Sequence, residues 1–386
     1  VSTQGKAYIV GIYEHPTRLA TDKTLAQLHA EVARGALEDA GLSKDDVDGF
    51  FCDVSVPGLG TLTLANYLGL KLRHTDTTES GGSAPILHVG HAAQAIAAGK
   101  CRVALITSCG RPRADGVIPQ MPVDSEIPED EFNHPYGLHL AQAYGMVARR
   151  HMHDHGTTSE QLAWVKVAAS HHAQHNPHAM LPKVVSVEDV LTSPLVADPL
   201  HRLDCCVISD GGGAIVVVHE DIARDIKRPR ILVRGAGEAT RGLNGGDFDL
   251  SHSAGSVSGA IAFEEAGVRS SDIKYASLYD SFTITVLMQL EDLGFCARGQ
   301  GGRFVADGGL ISGVGRLPFN TDGGGLCSNH PGNRGGVTKV MEAVRQARGE
   351  AHPRVQVPHC DLVLAHGTGG SLAQLHESAT IILERV

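Results

Sequence analysis

The chain is predicted to be an α/β protein built from two similar halves, and three observations carry that expectation. Glu38–Val47 reads EDAGLSKDDV and Glu264–Ile273 reads EEAGVRSSDI; each closes an apolar-periodic helix with a Gly before an acidic stretch and a β-rich run. Gly suits the position after the last turn, because the backbone there favours a left-handed conformation that other residues adopt only at a cost. A second pair follows in the same order. The helix pattern Ser83–Gly99 precedes the strand Val103–Thr107, and the helix pattern Gly335–Gly349 precedes the strand Leu362–Ala365. Strands and helices also alternate throughout, as they do where α and β layers pack around buried sheets. A helix–strand unit used twice in one order implies an internal pseudo-symmetry.

Taken in order, Ala7–Ile12 (AYIVGI) is a short apolar run and reads as a buried strand. Leu25, Leu28, Val32 and Ala36 follow at helical spacing, with Asp22 or Thr24 available as the cap. From Arg111 to about Pro199 the pattern turns polar, His-rich and Pro-punctuated, then helical around Ala141–Arg150 and Ser159–His175. This stretch is expected to be an inserted loop domain over the first half. The strand Gly213–His219 completes that half, and Pro229–Val233 (PRILV) opens the second. The expected division is therefore 1–228, carrying the insert at about 111–199, and 229–386.

Composition excludes more than it identifies. With 386 residues, 42% hydrophobic and 20% charged, the chain suits a soluble globular protein. A net charge of −10 without a basic run argues against nucleic acid as a partner. No apolar stretch approaches the roughly 18 residues of a membrane span, and neither end carries a familiar targeting pattern. Eight irregularly spaced Cys fit reduced thiols, so a cytoplasmic location is expected. The 46 Gly concentrate in stretches read as loops, such as Gly323–Gly325 and Gly367–Gly370.

Some tempting signals carry little. His151, His153 and His155 cannot all share one helical face, and His171, His172, His175 and His178 read as a polar helix end and loop, so no metal is expected. GGGL and GTGG lack the strand–turn–helix context of a phosphate cradle. Cys205 and Cys206 precede a core strand and read as buried rather than reactive.

The informative residues lie near the C-terminal end. Asn320–Gly336 (NTDGGGLCSNHPGNRGG) resembles the thiolase superfamily signature N-x-x-G-G-x4-G-H-P, with Asn329 in place of the Gly before the His. Tyr279–Phe282 (YDSF) sits where thiolases carry an N-E-A-F or H-D-C-F block. Leu290–Cys296 (LEDLGFC), Pro199–Ala214 and Asn176–Ala179 (NPHA) resemble the sterol-carrier-protein branch. The resemblance runs from about Ala7 to Leu383, and it implies the thiolase fold: two pseudo-symmetric αβ halves in an α-β-α-β-α arrangement.

The resemblance also locates a missing nucleophile. Thiolases place a reactive Cys at the start of the helix ending in A-A-Q-A-I-x-x-G, where free N–H groups and the helix dipole stabilise a thiolate. Fourteen residues before Ile96 this chain has Gly82, which has nothing to ionise. Ser83 and Cys327 remain as reserve nucleophiles, although a hydroxyl needs an adjacent base. His330 matches the thiolase His that polarises the thioester oxygen and shuttles protons. Gly82, Gly369 and Gly370 offer backbone N–H groups to an oxyanion. His366 lies nearest a loop that carries a second Cys in ordinary thiolases, and Asp280 is expected to hold its loop or a neighbouring His.

Tyr279 is the departure that suggests a reaction. The steroid side-chain-cleaving aldolases, Cys-less relatives of thiolases, carry Y-D-x-F at this place, although they have a second Tyr near Asn329 and lack the H-P dipeptide. Retro-aldol cleavage needs a base for the β-hydroxyl proton and a stabiliser for the enolate, but no nucleophile. Tyr279 as base and His330 as stabiliser meet both needs, provided the phenol pKa falls from its usual value of about 10. The expected activity is thus formation or cleavage of a C–C bond beside a CoA thioester, favoured as retro-aldol cleavage of a β-hydroxyacyl-CoA. A β-ketoacyl-CoA thiolase or acyltransferase with an unorthodox nucleophile, and a non-catalytic acyl-CoA-binding subunit, stand as alternatives. The resemblance further implies no bound cofactor, coenzyme A only as part of the substrate, a homodimer, and a small OB-fold/zinc-ribbon partner that helps bind acyl-CoA.

Overall fold

The structure is a computed structural model that describes residues 5–53, 58–117, 139–242, 249–372 and 375–386. The strands are β1 (Ala7–Glu14), β2 (Gly49–Cys52), β3 (His74–Thr77), β4 (Val103–Gly110), β5 (Leu195–Ala197), β6 (Leu200–His201), β7 (Gly211–His219), β8 (Ile231–Arg241), β9 (Tyr275–Leu278), β10 (Leu362–Gly370) and β11 (His376–Arg385). Nine of them form one sheet in the order β3-β2-β4-β7-β1-β8-β11-β10-β9, and β5 pairs with β6 apart from it.

That order holds one pattern twice, once in each direction: β2-β4-β7-β1 and β9-β10-β11-β8. In each copy the first pair is parallel and the next two are antiparallel. The copies join where β1 pairs with β8, at Tyr8–Leu232 and Ile9–Ile231. The matching sequence stretches occupy matching places. Gly41 (φ 69°) and Gly267 (φ 64°) end the helices Leu25–Ala40 and Gly255–Ala266 in the left-handed region. After each comes a single 3-10 turn in which a carboxylate, Asp46 or Asp272, accepts from the N–H of Ser43 or Arg269, both at 2.8 Å. Thr24, not Asp22, caps the first helix, in a reciprocal box with Gln27.

Three hydrophobic clusters define the layers. The helices Ala84–Ala97 and Gly336–Arg348 share one cluster with residues from both copies, including Ile9, Ile106, Val217, Val363 and Ile381. Leu25–Ala40 covers the outer face of the first copy through Leu28, Val32 and Ala36. Gly255–Ala266 and Thr283–Asp292 cover the second through Ala262, Val286 and Leu290. The result is α-β-α-β-α, with two central helices sandwiched by the two parts of the sheet.

The stretch between β4 and β7 departs from expectation. Its helices Leu140–His155 and Ser159–Ala173 pack on the Thr283–Asp292 helix of the second half, through Tyr144 and Val147 against Ile284 and Leu287, and through Val165 and Ala169 against Val286. Apolar faces bury where a complementary face is open, whichever half is nearer in sequence. Gly367–Gly370 is also strand rather than loop, ending β10.

Candidate active site

The site forms where the two central helices begin. The turn Gly81–Ser83 leads into Ala84–Ala97, and the turn Gly332–Arg334 leads into Gly336–Arg348. Glycines let these backbones approach. A Cβ built on Gly336 would overlap the Gly82 carbonyl, and one on Gly369 would overlap that of Ser80. Arg334 fastens the two turns, donating to both carboxylate oxygens of Glu79 at 3.1 and 2.9 Å and lying 3.0 Å from Asp53.

Tyr279 follows β9 and takes the space left by Gly82. A Cβ on Gly82 would overlap Cζ and Cε2 of the Tyr279 ring and come within 2.5 Å of the Thr368 carbonyl oxygen. A nucleophilic side chain at position 82 and this phenol therefore exclude one another. The Tyr279 ring meets His330 edge-on, with centroids 5.3 Å apart. Both residues are buried, at 5% and 8% exposure.

His330 is held by its backbone and wedged by glycines. Its N–H donates to Ser209 Oγ at 2.8 Å, and Ser209 in turn donates to Asn329 Oδ1 at 2.8 Å. Asn329, the substituted signature position, donates to Glu14 at 2.9 Å. Cβ atoms on Gly325 and Gly335 would stand 2.8 and 3.2 Å from His330 Cδ2, so any other residue there crowds the ring. His330 Nε2 is buried without a hydrogen-bond partner. Burial lowers the imidazole pKa to about 4; Asp280 pulls it up and Lys339 pushes it down. The ring is therefore neutral at pH 7.

Asp280 does not touch His330 through a hydrogen bond but anchors the turn that precedes it. It accepts from Gly325 N at 2.8 Å, Leu326 N at 3.1 Å and Lys339 Nζ at 2.7 Å, fully buried. Asp280 is expected to hold its own loop or a neighbouring His; the turn its carboxylate holds is Gly324–Ser328. The phenol departs from expectation. Burial first, then the neighbourhood of Cys206, Tyr144 and Asp280, pushes the Tyr279 pKa well above its ordinary value. Nothing in its surroundings outweighs desolvation, so the ring is a neutral donor rather than a ready base.

The other sequence candidates lie apart or are engaged. His366 sits on β10 one residue before Gly367, whose Cβ direction meets Ile86 and Gly82. Strand alternation turns His366 to the opposite face, where Nδ1 lies 2.8 Å from Thr380 Oγ1 and burial lowers its pKa to about 3. Its backbone carbonyl accepts from Tyr279 N at 3.0 Å, but its ring is turned away from the phenol. Ser83 Oγ donates to the Ser80 carbonyl at 2.9 Å and lies 3.0 Å from Ser80 Oγ, with no histidine as its base. Cys327 belongs to the apolar cluster with Phe319 and Leu326, and burial raises its thiol pKa. Gly369 and Gly370 run in register with Glu377 and His376 of β11, and Gly81 packs against them.

Sequence reasoning missed Tyr144, Lys339 and Arg334, and read Cys206 as an inert buried thiol rather than as a neighbour of the phenol. Cys206 donates its N–H to the Ser281 carbonyl at 2.9 Å and stands near the phenol. Tyr144 stacks on Phe282 at 4.6 Å. Lys339 gave no local signal, because the burial of the helix around it shows only in the fold. All eight cysteines are unpaired thiols. Among the described residues no cluster of His, Cys, Asp or Glu fits a metal, and no helix is long and apolar enough to cross a membrane.

Residues 238–385 match the family described as thiolase C-terminal domain-like. The chain is 36% identical to a steroid side-chain-cleaving aldolase of Thermomonospora curvata, over 89% of this chain and 91% of that one. It is 31% identical to an acetyl-CoA acetyltransferase of Methanothermobacter thermautotrophicus, over 95% and 97% respectively. The solved Ltp2-ChsH2(DUF35) aldolase superposes with a TM-score of 0.89 at 33% identity, covering 99% of this chain and 98% of that chain. On family match, shared length and shared fold together, the chain belongs to the thiolase superfamily.

Proposed function

We propose that the protein cleaves or forms a carbon–carbon bond beside a CoA thioester without a covalent acyl-enzyme, acting as a retro-aldolase on a β-hydroxyacyl-CoA. One observation carries the reading: the Tyr279 ring fills the volume that a nucleophile at position 82 would need, and lies edge-on to His330. The protonation states favour the reverse of the roles first expected. Neutral His330, with its unpartnered Nε2, takes the β-hydroxyl proton. The Cα–Cβ bond then breaks, its electron pair passes to the thioester as an enolate, and the β-carbon leaves as a carbonyl. Tyr279, held neutral by burial, donates a hydrogen bond to the enolate oxygen, as a preorganised donor in a water-poor site does best. The proton held by His330 finally quenches Cα, so no net proton is gained or lost. The Gly82 N–H is the further oxyanion donor of this reading, since Gly369 and Gly370 are engaged with β11.

The acyltransferase alternative finds less support, because Ser83 has no histidine base and Cys327 faces the core. We extend the reading to assembly. A small partner protein follows from ChsH2(DUF35) in the matched aldolase and from the OB-fold/zinc-ribbon partner expected above. A homodimer is part of the same proposal, carried by the thiolase resemblance, with β3, which like β9 ends the sheet with one edge unpaired among the described strands, available for it. The test incubates the chain, with and without such a partner, with β-hydroxyacyl-CoA, or with β-ketoacyl-CoA plus free CoA. Release of a carbonyl product and a shorter acyl-CoA from the hydroxy substrate, lost in Tyr279→Phe and His330→Asn, supports the reading. Cleavage of the keto substrate alone, dependent on CoA, overturns it.

A further inference from the structure

Four buried groups grip the turn that carries His330. Gly324–Ser328 points its first N–H groups at two carboxylates: Gly324 N donates to Asp322 at 2.9 Å, and Gly325 N and Leu326 N donate to Asp280. Lys166 takes the Leu326 carbonyl at 2.7 Å. Lys339 bonds Asp280 at 2.7 Å, and neither side chain is more than 1% exposed. Asp322, buried beside them, also lies within reach of the Lys339 charge. Two carboxylates packed against one turn repel each other unless a cation stands between them, and Lys339 is that cation.

We infer that Lys339 is a positioning residue: by holding Asp280 it fixes the Gly324–Ser328 turn, and so sets both the orientation and the basicity of the His330 ring. The link to the ring is short, since Gly325, which Asp280 anchors, lies so near His330 that a Cβ added to it would stand 2.8 Å from Cδ2. The charged and titratable groups around the ring are Tyr279 and Asp280 after β9, Lys339 from the central helix, and Arg334 in its own turn. Arg334 is engaged by Glu79 and Asp53. Asp280 and Lys339 therefore act on the imidazole with opposite signs, and removing either exposes the other. The kinetic consequence rests on the retro-aldolase reading; the coupling to His330 does not.

The test follows His330 by NMR in 15N-histidine-labelled protein, assigned with His330→Asn, alongside turnover of β-hydroxyacyl-CoA. Lys339→Met leaves Asp280 unopposed, so the His330 midpoint rises by about one pH unit. Asp280→Asn removes the carboxylate that raises the ring and leaves the ammonium facing Asp322, so the His330 midpoint falls below the wild-type value. In Lys339→Met, kcat falls at least about tenfold while KM changes less than about threefold, because the lesion lies in proton transfer rather than binding. Lys339→Arg keeps the charge and restores the midpoint. Should Lys339→Met not fold, Asp280→Asn alone carries the test, and a His330 midpoint left at the wild-type value overturns the inference. A His330 midpoint indifferent to Lys339→Met, or equal in Lys339→Met and Asp280→Asn, overturns the inference. If the midpoints move as stated while the wild type never turns over a β-hydroxyacyl-CoA, the reaction assignment fails and the coupling stands.

Discussion

Replacing Gly82 by Ala tests the mutual exclusion on which the reading rests. The added methyl has two walls: Cζ and Cε2 of the Tyr279 ring, which it would overlap, and the Thr368 carbonyl oxygen at 2.5 Å. Ordinary carbon contacts lie at about 3.5–4.0 Å, so ring or strand has to move by more than an ångström. Neither is free to do so. The ring is edge-packed on His330, and the Tyr279 carbonyl accepts from Gln289 at 2.7 Å while its N–H donates to His366 O at 3.0 Å. Overpacking of this kind costs about 1–3 kcal/mol, and two rigid walls place it at the upper end. Urea denaturation followed by circular dichroism reads the loss directly. The informative arm is the cycle with Tyr279. In a Tyr279→Ala background the ring is gone and only the Thr368 carbonyl still crowds the methyl, so Gly82→Ala costs less, with a coupling of about 1 kcal/mol. In Tyr279→Phe the clashing ring atoms remain, so coupling is near zero. If Gly82→Ala costs less than about 0.5 kcal/mol, or costs the same with and without the ring, the packing argument is refuted.

The phenol oxygen itself has little structural work, so Tyr279→Phe is expected to lower kcat by about 10²–10⁴-fold while leaving the urea midpoint close to wild type. The acid limb of kcat/KM for the free enzyme should fall near pH 4, the His330 value, rather than near 6.5; a limb at 6.5 would assign the base elsewhere. Stability has its own pH window. His29, His88, His172, His330 and His376 are lowered to about 4, and His366 to about 3, all by burial, so between about pH 6.5 and 4 the unfolded chain binds more protons. Each such group then removes on the order of 1.4 kcal/mol per pH unit as pH falls through that window. His91 has the opposite sign: Asp76 raises it to about 9, so its contribution is present below about 6.5 and fades as pH rises through 9. Unfolding free energy should therefore peak near about pH 6.5–7 and decline towards pH 9 as His91 loses its proton; a continued rise towards pH 5 would contradict the neutral burial of these rings. Iodoacetamide at neutral pH should leave activity intact, because Cys327 is buried, Cys206 is half-buried, and desolvation pushes both thiol pKa values upwards; rapid inactivation would revive the thiol-dependent reading.

The sequence was most legible where local chemistry repeats. The paired stretches ending at Gly41 and Gly267 needed only a left-handed cap and a short acidic turn, and both are set by neighbours within a few residues. The vacancy at Gly82 was legible too, as a count back from Ile96. What fills it was not, because Tyr279 reaches Gly82 from almost two hundred residues away, and no local pattern records a steric exclusion at that range. The same limit hid Lys339, whose partner Asp280 lies 59 residues upstream, and Arg334, whose partner Glu79 lies 255 residues upstream. The glycines of Gly367–Gly370 misled in the other direction. Read as loop punctuation, they serve a strand that needs smooth edges against the Gly81–Ser83 turn. His366 followed from that error, since strand alternation, not loop proximity, decides which way its ring points.

The tip-to-tip arrangement of the two central helices has an electrical consequence. Each α-helix ends at its N-terminus in unsatisfied N–H groups and roughly half a positive charge. One helix begins after Ser83 and the other after Gly335, and both tips abut the Tyr279 ring. The duplication that gave the sheet its mirrored order thus also aims two positive poles at one point, in a region closed to screening water. A negative charge appearing there is met by a field already in place, and neither half of the chain could generate that field alone.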